Sequence, residues 1–204
     1  EIIERFSSTR ILVIGDVILD HYIFGDVSRI SPEAPVPVVE VKEESFRLGG
    51  AANTVANIRS LGGQVDVVSV IGKDENGNKL RKMLQEIGTD VDGLLCDNNR
   101  PTIIKTRVIA RHQQVVRIDR EIKDKVDGEL KEEIISIAES TLPKVDAVIC
   151  SDYDKGVLSK DVLEVILEHA KEQDIPVVID PKMQNFWHYR GATLITPNTK
   201  EASE

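Results

Sequence analysis

Several carboxylates and lysines in this sequence follow short runs of β-branched residues. Asp16 and Asp20 come after the run 11–14, Asp152 and Lys155 after the run 147–150, and Lys182 after the run 177–179. Open α/β sheets place ligands at the carboxyl ends of their strands, and a carboxylate can accept hydrogen bonds from two neighbouring hydroxyl groups. We therefore predict that Asp20 binds substrate hydroxyls and that Asp152 and Lys155 face the same cleft. For Asp16, binding and the capping of a loop are equal alternatives.

A pair of glycines forms a second candidate ligand contact. The segment Gly49-Gly50-Ala51-Ala52-Asn53 lies just before a helical pattern. Without side chains, the backbone amides of Gly49 and Gly50 can approach a ligand, and a helix N-terminus favours an oxygen-rich or anionic one. Asn53 either contacts that ligand or bonds its own backbone at the start of the helix. On its own, a Gly-Gly pair is weak evidence.

A third candidate is a run of basic residues with strand periodicity. Between residues 102 and 111 a period of two places Lys105, Arg107 and Arg111 on one face, opposite apolar side chains and threonine. Arginine binds phosphate through two parallel hydrogen bonds, so this face could bind a phosphate group. A solvated basic surface is the equal alternative.

The elements that carry these residues indicate an α/β fold. Apolar runs at 11–14, 65–71, 147–150 and 177–179 read as buried parallel strands, and they alternate with helical patterns. The predicted helices cover 51–61, 78–87, 129–142 and 159–172, with Ser159 as the N-cap of the last. The segments 36–41 and 102–119 alternate in strand fashion without adjoining helices, which predicts a small antiparallel flap.

Bulk properties exclude several classes of protein. The 204 residues are 41% hydrophobic and 30% charged, without an apolar run that could cross a bilayer and without a secretory signal, so we expect a cytoplasmic protein. The net charge of −9 argues against nucleic-acid binding. Cys96 and Cys150 are expected to be buried free thiols, and the scattered histidines do not have zinc-site spacing. The sequence has neither a Walker loop nor a Gly-x-Gly-x-x-Gly motif.

The glycine segment, followed by Gly62 and Gly72, resembles the signature of the ribokinase or PfkB carbohydrate kinase family. Val55 departs from the family pattern, which usually has a smaller residue there. Further similarities are found at 15–20, 72–77 and 198–201, so the resemblance covers essentially the whole chain. Within the family, the segments 30–39, 111–114 with Arg117, and 189–192 look like the kinases of heptose 7-phosphate.

The resemblance implies a ribokinase-like three-layer αβα sandwich, with a mostly parallel central sheet and a small β-sheet lid at about 21–47 and 101–120. Asp20, Asn53 and the two glycines would hold the sugar, and the basic flap residues would bind its 7-phosphate. Lys182, Asn198, Thr199, Lys200 and Glu201 would lie at ATP, with Glu201 reaching Mg²⁺ through water. For Lys182 a strand-ending turn, and for the Asn-x-x-Glu motif a helix cap, are the alternatives. The lid could also form a homodimer.

Phosphoryl transfer also needs a group that takes the acceptor proton. The family's Gly-Ala-Gly-Asp motif, which brings that base, does not occur between residues 1 and 204. We therefore expect the chain to be the N-terminal portion of a kinase domain whose base lies beyond Glu204, and expect this portion alone to be inactive. A nucleotidyltransferase domain follows the kinase in some relatives. A related sugar or nucleoside kinase, or a non-catalytic sugar-binding module, is the alternative function.

Overall fold

The computed structural model describes residues 3–111 and 113–203. His112 lies outside them, although it belongs to the segment 111–114 that resembles the kinases of heptose 7-phosphate. The strands are, in chain order, β1 (Arg10–Gly15), β2 (Val17–Ile30), β3 (Pro37–Gly50), β4 (Gln64–Gly72), β5 (Leu94–Asp97), β6 (Ile104–Ala110), β7 (Gln113–Arg120), β8 (Ala147–Ser151), β9 (Val177–Asp180) and β10 (Leu194–Ile195). The α-helices are α1 (Ala51–Ser60), α2 (Glu75–Glu86), α3 (Gly128–Thr141) and α4 (Lys160–Glu172). Short 3₁₀ segments cover Ile3–Ser8, Leu142–Lys144 and Met183–Tyr189.

The main sheet has the order β10-β9-β8-β1-β4-β5, and all of its neighbouring strands are parallel. Leu12 and Ile14 on β1 point into a core shared with α3 and α4, whereas Val13 points into a core shared with α1 and α2. Side chains alternate along a strand, so one central strand supplies both cores and the sheet lies between two helical layers. The predicted α/β sandwich is confirmed.

The helices begin and end close to the predicted positions. Ser159 is the N-cap of α4, and its Oγ accepts a hydrogen bond of 3.4 Å from the Val162 N–H. Asp74, which was not predicted as a cap, does the same for α2 by accepting from the Gly77 N–H at 2.8 Å. Such a cap satisfies a backbone donor that the helix itself leaves free. None of the helices in the described part of the chain is long and apolar enough to span a membrane.

The second sheet has the order β3-β2-β6-β7. We refer to it as the lid sheet. The prediction of an antiparallel flap was wrong for one pairing, because β2 runs parallel to β6 while the other two pairs are antiparallel. Periodicity did not identify β2, since its polar residues hide the apolar alternation on which strand prediction depends, and only the family resemblance implied a lid segment at about 21–47.

The lid sheet joins the main sheet without a linker. Only Asp16 separates β1 from β2, and Gly50 ends β3 immediately before α1 begins. The Asp16 carbonyl accepts a hydrogen bond of 3.0 Å from the Ala51 N–H, so both connections lie together.

One cysteine differs from its prediction. Cys150 is fully buried on β8, but Cys96 is exposed, although both are free thiols. Cys96 lies on β5, which is an edge strand of the main sheet, and its side chain alternates away from the buried Leu95.

Candidate functional site

A cavity of about 340 Å³ lies where the lid sheet meets the first turn of α1. It brings together six of the residues predicted from the sequence, namely Asp20, Gly49, Gly50, Asn53, Lys105 and Arg107. They come from β2, β3, α1 and β6, so the fold unites positions more than 80 residues apart in sequence. A larger depression of about 610 Å³ is lined by one face of α4 together with Trp187, His188, Arg190 and Gly191, and none of its lining residues was predicted as a site residue.

Asp20 is held by an ion pair. Its Oδ1 accepts a hydrogen bond of 2.5 Å from Nη1 of Arg107, and both side chains are about four-fifths buried, with exposed fractions of 18% and 22%. Burial by itself lowers the pKa of Arg107, but the hydrogen bond and charge of Asp20 outweigh it and raise the pKa. The guanidinium therefore stays charged, and the second Asp20 oxygen is left for a hydroxyl group.

The two glycines make room for this arrangement. A Cβ on Gly49 would lie 2.5 Å from Oδ2 of Asp20, closer than side-chain atoms approach one another. Gly50 has a φ of 56°, a left-handed conformation, and a Cβ there would lie 2.3 Å from the Asp16 carbonyl oxygen. Only glycine fits both requirements at this turn into α1. Asn53, one turn further along the helix, lines the same cavity.

Basic side chains cover the wall of the cavity that the lid sheet forms. On β2, Asp20 pairs with Arg47 of β3 on one side and with Lys105 of β6 on the other, and Tyr22 pairs with Arg107 of β6. The guanidinium carbons of Arg47 and Arg107 are 5.2 and 5.3 Å from the centroid of the Tyr22 ring. Burial lowers the pKa of Lys105, and the charge of Asp119 partly opposes this shift.

The cavity therefore has more positive than negative charge. Arg107 is paired with Asp20, but neither Arg47 nor Lys105 forms an ion pair with a carboxylate in the described ranges. Arg111 does not join them. The strand β6 ends at Ala110, and Arg111 occupies an exposed turn with a φ of 46° that lies outside the cavity lining. The predicted alternation fails there because the strand has already ended.

Asp16 differs from the predicted substrate contact. It is fully buried, and its Oδ2 accepts from the N–H groups of Tyr153 and Lys155 at 3.0 and 3.1 Å, while Oδ1 accepts from Val157 at 3.2 Å. Burial raises its pKa to about 6, although these hydrogen bonds oppose the shift. Asp16 therefore fixes the loop 152–157 beside the cavity, which matches the loop-capping alternative.

Asp152 and Lys155 were predicted to face the cleft, and both are instead engaged inside the protein. Oδ2 of Asp152 accepts from the Tyr189 hydroxyl at 2.7 Å and from Nδ2 of Asn185 at 2.8 Å. The Lys155 ammonium donates to Oε1 of Glu121 at 2.8 Å. Burial raises the pKa of Tyr189, which therefore remains a donor. The sequence alone could not show whether these two side chains face the cleft or the protein interior, since polar residues of either kind follow the ends of strands.

The predicted nucleotide residues 198–201 form a turn of their own. Oδ1 of Asn198 accepts from the N–H groups of Lys200 and Glu201, each at 3.0 Å, and Oε2 of Glu201 accepts from the Asn198 N–H at 3.0 Å. This reciprocal arrangement is a capping box, the alternative considered for the motif. Thr199 lies exposed between the two partners.

Lys182 joins that turn to the end of β9. Its ammonium donates to Oε1 of Glu201 at 2.6 Å, and this hydrogen bond is the main cause of the lowered pKa of Glu201. Both Glu201 oxygens are thus engaged, which suits contact with a metal ion through water better than direct coordination. Across the described ranges, no set of three or more His, Cys, Asp or Glu side chains converges to hold a metal.

Five residues that line the cavity were not predicted from the sequence, namely Ile18, Tyr22, Arg47, Leu48 and Tyr153. The strand that carries Arg47 was read as ending at residue 41, whereas β3 continues to Gly50. Continuing the period of two along it would have assigned Arg47 to a face of the strand, but its pairing with Asp20 depends on the register of β2 and β3. Tyr153 had no comparable signal, because its position depends on the buried bonds of Asp16.

Comparisons with known proteins agree with this architecture. A model described as pfkB family carbohydrate kinase matches residues 8–204. The chain is 50% identical over 199 residues to "Bifunctional protein HldE" of Citrifermentans bemidjiense, covering 98% of this chain and 41% of that protein. It is 47% identical over 196 residues to the protein of the same name from Helicobacter hepaticus, covering 96% and 41%. The chain thus spans about two fifths of the length of these curated relatives.

Two solved structures show the same fold at low sequence identity. One is a ribokinase from Arabidopsis thaliana complexed with ribose and ATP, with a TM-score of 0.70, 16% identity, and coverage of 96% of this chain and 62% of that one. The other is a ribokinase from Cryptococcus neoformans in complex with ADP, with a TM-score of 0.65, 17% identity, and coverage of 95% and 57%. The fold is therefore ribokinase-like, as the sequence predicted.

Proposed function

Because this chain belongs to the pfkB family of carbohydrate kinases, we propose that it is part of an ATP-dependent kinase that phosphorylates O1 of D-glycero-D-manno-heptose 7-phosphate. The product would be the heptose 1,7-bisphosphate, a precursor of nucleotide-activated heptose for the lipopolysaccharide inner core. The observation that carries this proposal is the combination, in one cavity, of hydroxyl-binding groups with the unpaired cations Arg47 and Lys105.

The sugar end of the cavity supports a polyhydroxylated ligand. Asp20 is fixed by Arg107 and has an oxygen to spare, and Asn53 offers both a donor and an acceptor. The close approach that Gly49 permits brings β3 against Asp20, so a bound sugar contacts backbone as well as side chains. Two or three such contacts orient the ligand, and the lid sheet excludes water from it.

The basic wall supports a phosphorylated ligand over a neutral one. A kinase for unphosphorylated ribose or fructose would have no use for two cations without carboxylate partners, since an unpaired charge beside a neutral ligand costs desolvation energy. A phosphate restores the charge balance, and arginine can bind it through two hydrogen bonds. In this proposal Arg47 binds the phosphate, the role that was predicted from the sequence for Arg111.

ATP would lie beyond Tyr153, at Lys182 and the turn Asn198–Glu201. The Lys182 ammonium is suited to the nucleotide phosphates, while Thr199 and Lys200 line the exposed side of the turn. Mg²⁺ bound with ATP would neutralise phosphate charge, and Glu201 would reach it through water, because this ion keeps several of its waters. The general base that takes the O1 proton is proposed to lie outside residues 1–204.

The experiment is a substrate comparison with the full-length protein. We expect MgATP-dependent turnover of heptose 7-phosphate, with a bisphosphate product identified by ³¹P NMR. We also expect kcat/KM to exceed that for unphosphorylated heptose, ribose and fructose by at least about 10-fold, the value of one charge-assisted hydrogen bond of about 1.5 kcal/mol. Equal turnover of an unphosphorylated sugar would favour another sugar kinase. Sugar binding without any turnover would favour a non-catalytic module.

A homodimer through the lid sheet is a further part of the proposal. Val116 and Ile118 on β7 are 45% and 55% exposed, and they alternate with Arg117 and Asp119, so they lie on the face away from the cavity. The strand β7 is also an edge strand, whose open backbone groups favour pairing with another strand. Sedimentation of the wild type and of Ile118→Asp tests the dimer, and a monomeric wild type would contradict it.

We also propose that the protein is located in the cytoplasm and that a nucleotidyltransferase domain follows the kinase domain.

A further inference from the structure

Tyr153 occupies a fixed position beside the sugar cavity. Its side chain lines the cavity with Asp20 and Asn53. Its N–H donates to Oδ2 of the buried Asp16 at 3.0 Å, and the same carboxylate also binds the backbone of Lys155 and Val157. A backbone held by a buried carboxylate on three successive hydrogen bonds has little freedom, so the ring is placed by the core of the protein rather than by a loose loop.

The Tyr153 ring also lies close to the proposed nucleotide site. The Lys182 ammonium lies 5.5 Å from the ring centroid, within the range of a cation–π contact. That ammonium is also bonded to Glu201 at 2.6 Å. Charges from residues of both proposed sites act on the Tyr153 hydroxyl, namely those of Asp180, Lys182 and Glu201 and that of Asp20. Burial raises the pKa of Tyr153, so the ring stays neutral and keeps its attraction for a cation.

A single aromatic ring therefore lines the sugar cavity and lies beside the Lys182 ammonium of the proposed nucleotide site. We propose that Tyr153 is a positioning residue that couples the sugar site to the nucleotide site: its ring packs against the bound sugar and holds the Lys182 ammonium toward the nucleotide phosphates. This inference rests on the proposed function, which assigns the sugar to one side of the ring and ATP to the other. Without the ring, the Lys182 ammonium would turn fully onto Glu201, its nearest anion.

The test uses the full-length protein and a double-mutant cycle. Tyr153→Leu removes the aromatic face, Lys182→Met removes the ammonium, and the double variant removes both. If Tyr153 acts through Lys182, Tyr153→Leu raises the KM for MgATP by roughly 3- to 10-fold in the wild-type background, as expected for a partly buried cation–π contact. The same substitution then has less than a twofold effect on that KM in the Lys182→Met background. Tyr153→Phe keeps the ring and stays within about twofold of the wild type.

Tyr22 supplies the matched control, because it is a second tyrosine in the same cavity but stacks between Arg47 and Arg107. We expect Tyr22→Leu to raise the KM for the sugar and to leave the KM for MgATP unchanged. If Tyr153→Leu does not fold, Tyr153→Met takes its place, since it keeps the bulk without an aromatic face. Additive effects of Tyr153→Leu and Lys182→Met on the KM for MgATP, or a sugar effect only, would overturn the coupling.

A failure of this inference can be told apart from a failure of the proposed function. If the wild type does not phosphorylate heptose 7-phosphate, the substrate assignment fails. Calorimetric titration with MgATP in the absence of sugar still measures the contact between Tyr153 and Lys182. There, weaker binding by Tyr153→Leu but not by Tyr22→Leu supports the inference, and unchanged binding by both refutes it.

Discussion

Replacing Arg47 with methionine tests whether the basic wall of the cavity recognises phosphate. Arg47 faces the cavity from β3, beside the Tyr22 ring, and has no carboxylate partner in the described ranges. Arg107 lies on the other side of the same ring, but its guanidinium forms an ion pair with Asp20 at 2.5 Å. The charge of Arg107 is therefore already partly balanced before a ligand binds. A ligand phosphate therefore gains more from Arg47 than from its paired neighbour, and methionine keeps much of the length of the side chain while removing the charge.

The size of the effect follows from the number of hydrogen bonds lost. One charge-assisted hydrogen bond is worth about 1.5–3 kcal/mol, which corresponds to roughly 10- to 150-fold in binding. Arg47 is exposed before the ligand binds, and part of the gain is lost in removing its water, so we expect the lower half of that range. For Arg47→Met, kcat/KM for heptose 7-phosphate should fall by about 10- to 50-fold. The same parameter for unphosphorylated heptose should change by less than about threefold.

The matched control is Arg111→Met, an arginine that the sequence placed on the same face and the structure places in an exposed turn. Initial rates at saturating MgATP are measured for both variants with both sugars, and circular dichroism confirms that each variant is folded. Arg111→Met should change neither kcat/KM by more than about twofold. A loss by Arg47→Met that is equal for the two sugars, or a larger loss by Arg111→Met, would refute phosphate recognition by this wall.

Three further substitutions probe the structure around the cavity. Gly49→Ala places a Cβ 2.5 Å from the Asp20 carboxylate and should lower kcat/KM at least about 10-fold, because that carboxylate must shift away from the position in which Arg107 holds it; unchanged kinetics would contradict the close approach. Tyr189→Phe removes a donor from the buried Asp152 carboxylate and should lower the free energy of unfolding, measured by urea titration, by about 1.5–3 kcal/mol. A decrease of less than about 0.5 kcal/mol would be inconsistent with the hydrogen bond between Tyr189 and Asp152. Asp16 has a pKa raised by burial to about 6, above its unfolded value of 3.8, so its ionisation opposes folding as the pH rises through that interval. Between pH 4 and pH 7 the wild type should therefore lose about 2–3 kcal/mol of stability relative to Asp16→Asn, and parallel pH profiles would exclude the raised pKa.

The main sheet could be predicted because its strands are buried on both faces. A strand such as β4 then reads as a continuous β-branched run, and the helices beside it carry one apolar stripe each. The lid sheet gave a weaker signal. Polar residues interrupt the apolar alternation of β2, so periodicity did not identify this strand, and its parallel pairing with β6 had no trace in the local sequence.

The site was predicted where a position in the fold or a family motif limits the possibilities. Asp20 was predicted because it follows a buried strand, and Gly49 and Gly50 because glycine allows a close approach and the pair matches the family signature. For Asp16 and Asp152 the sequence could not distinguish a carboxylate that binds ligand from one that organises a loop. That difference depends on whether backbone donors from residues more than 130 positions away point at Asp16, which only the assembled fold determines.

The length of β2 has a consequence for how such proteins diverge. Asp20 and Tyr22 lie near the beginning of this strand, at the cavity, whereas Ile30 at its end is 62% exposed. At about 3.3 Å per residue, Ile30 is roughly 25–35 Å along the strand from Tyr22 and Asp20. Mutations at the far end can therefore accumulate and change what the lid sheet associates with, while selection for substrate acts on the near end. One strand thus carries two regions that can evolve almost independently.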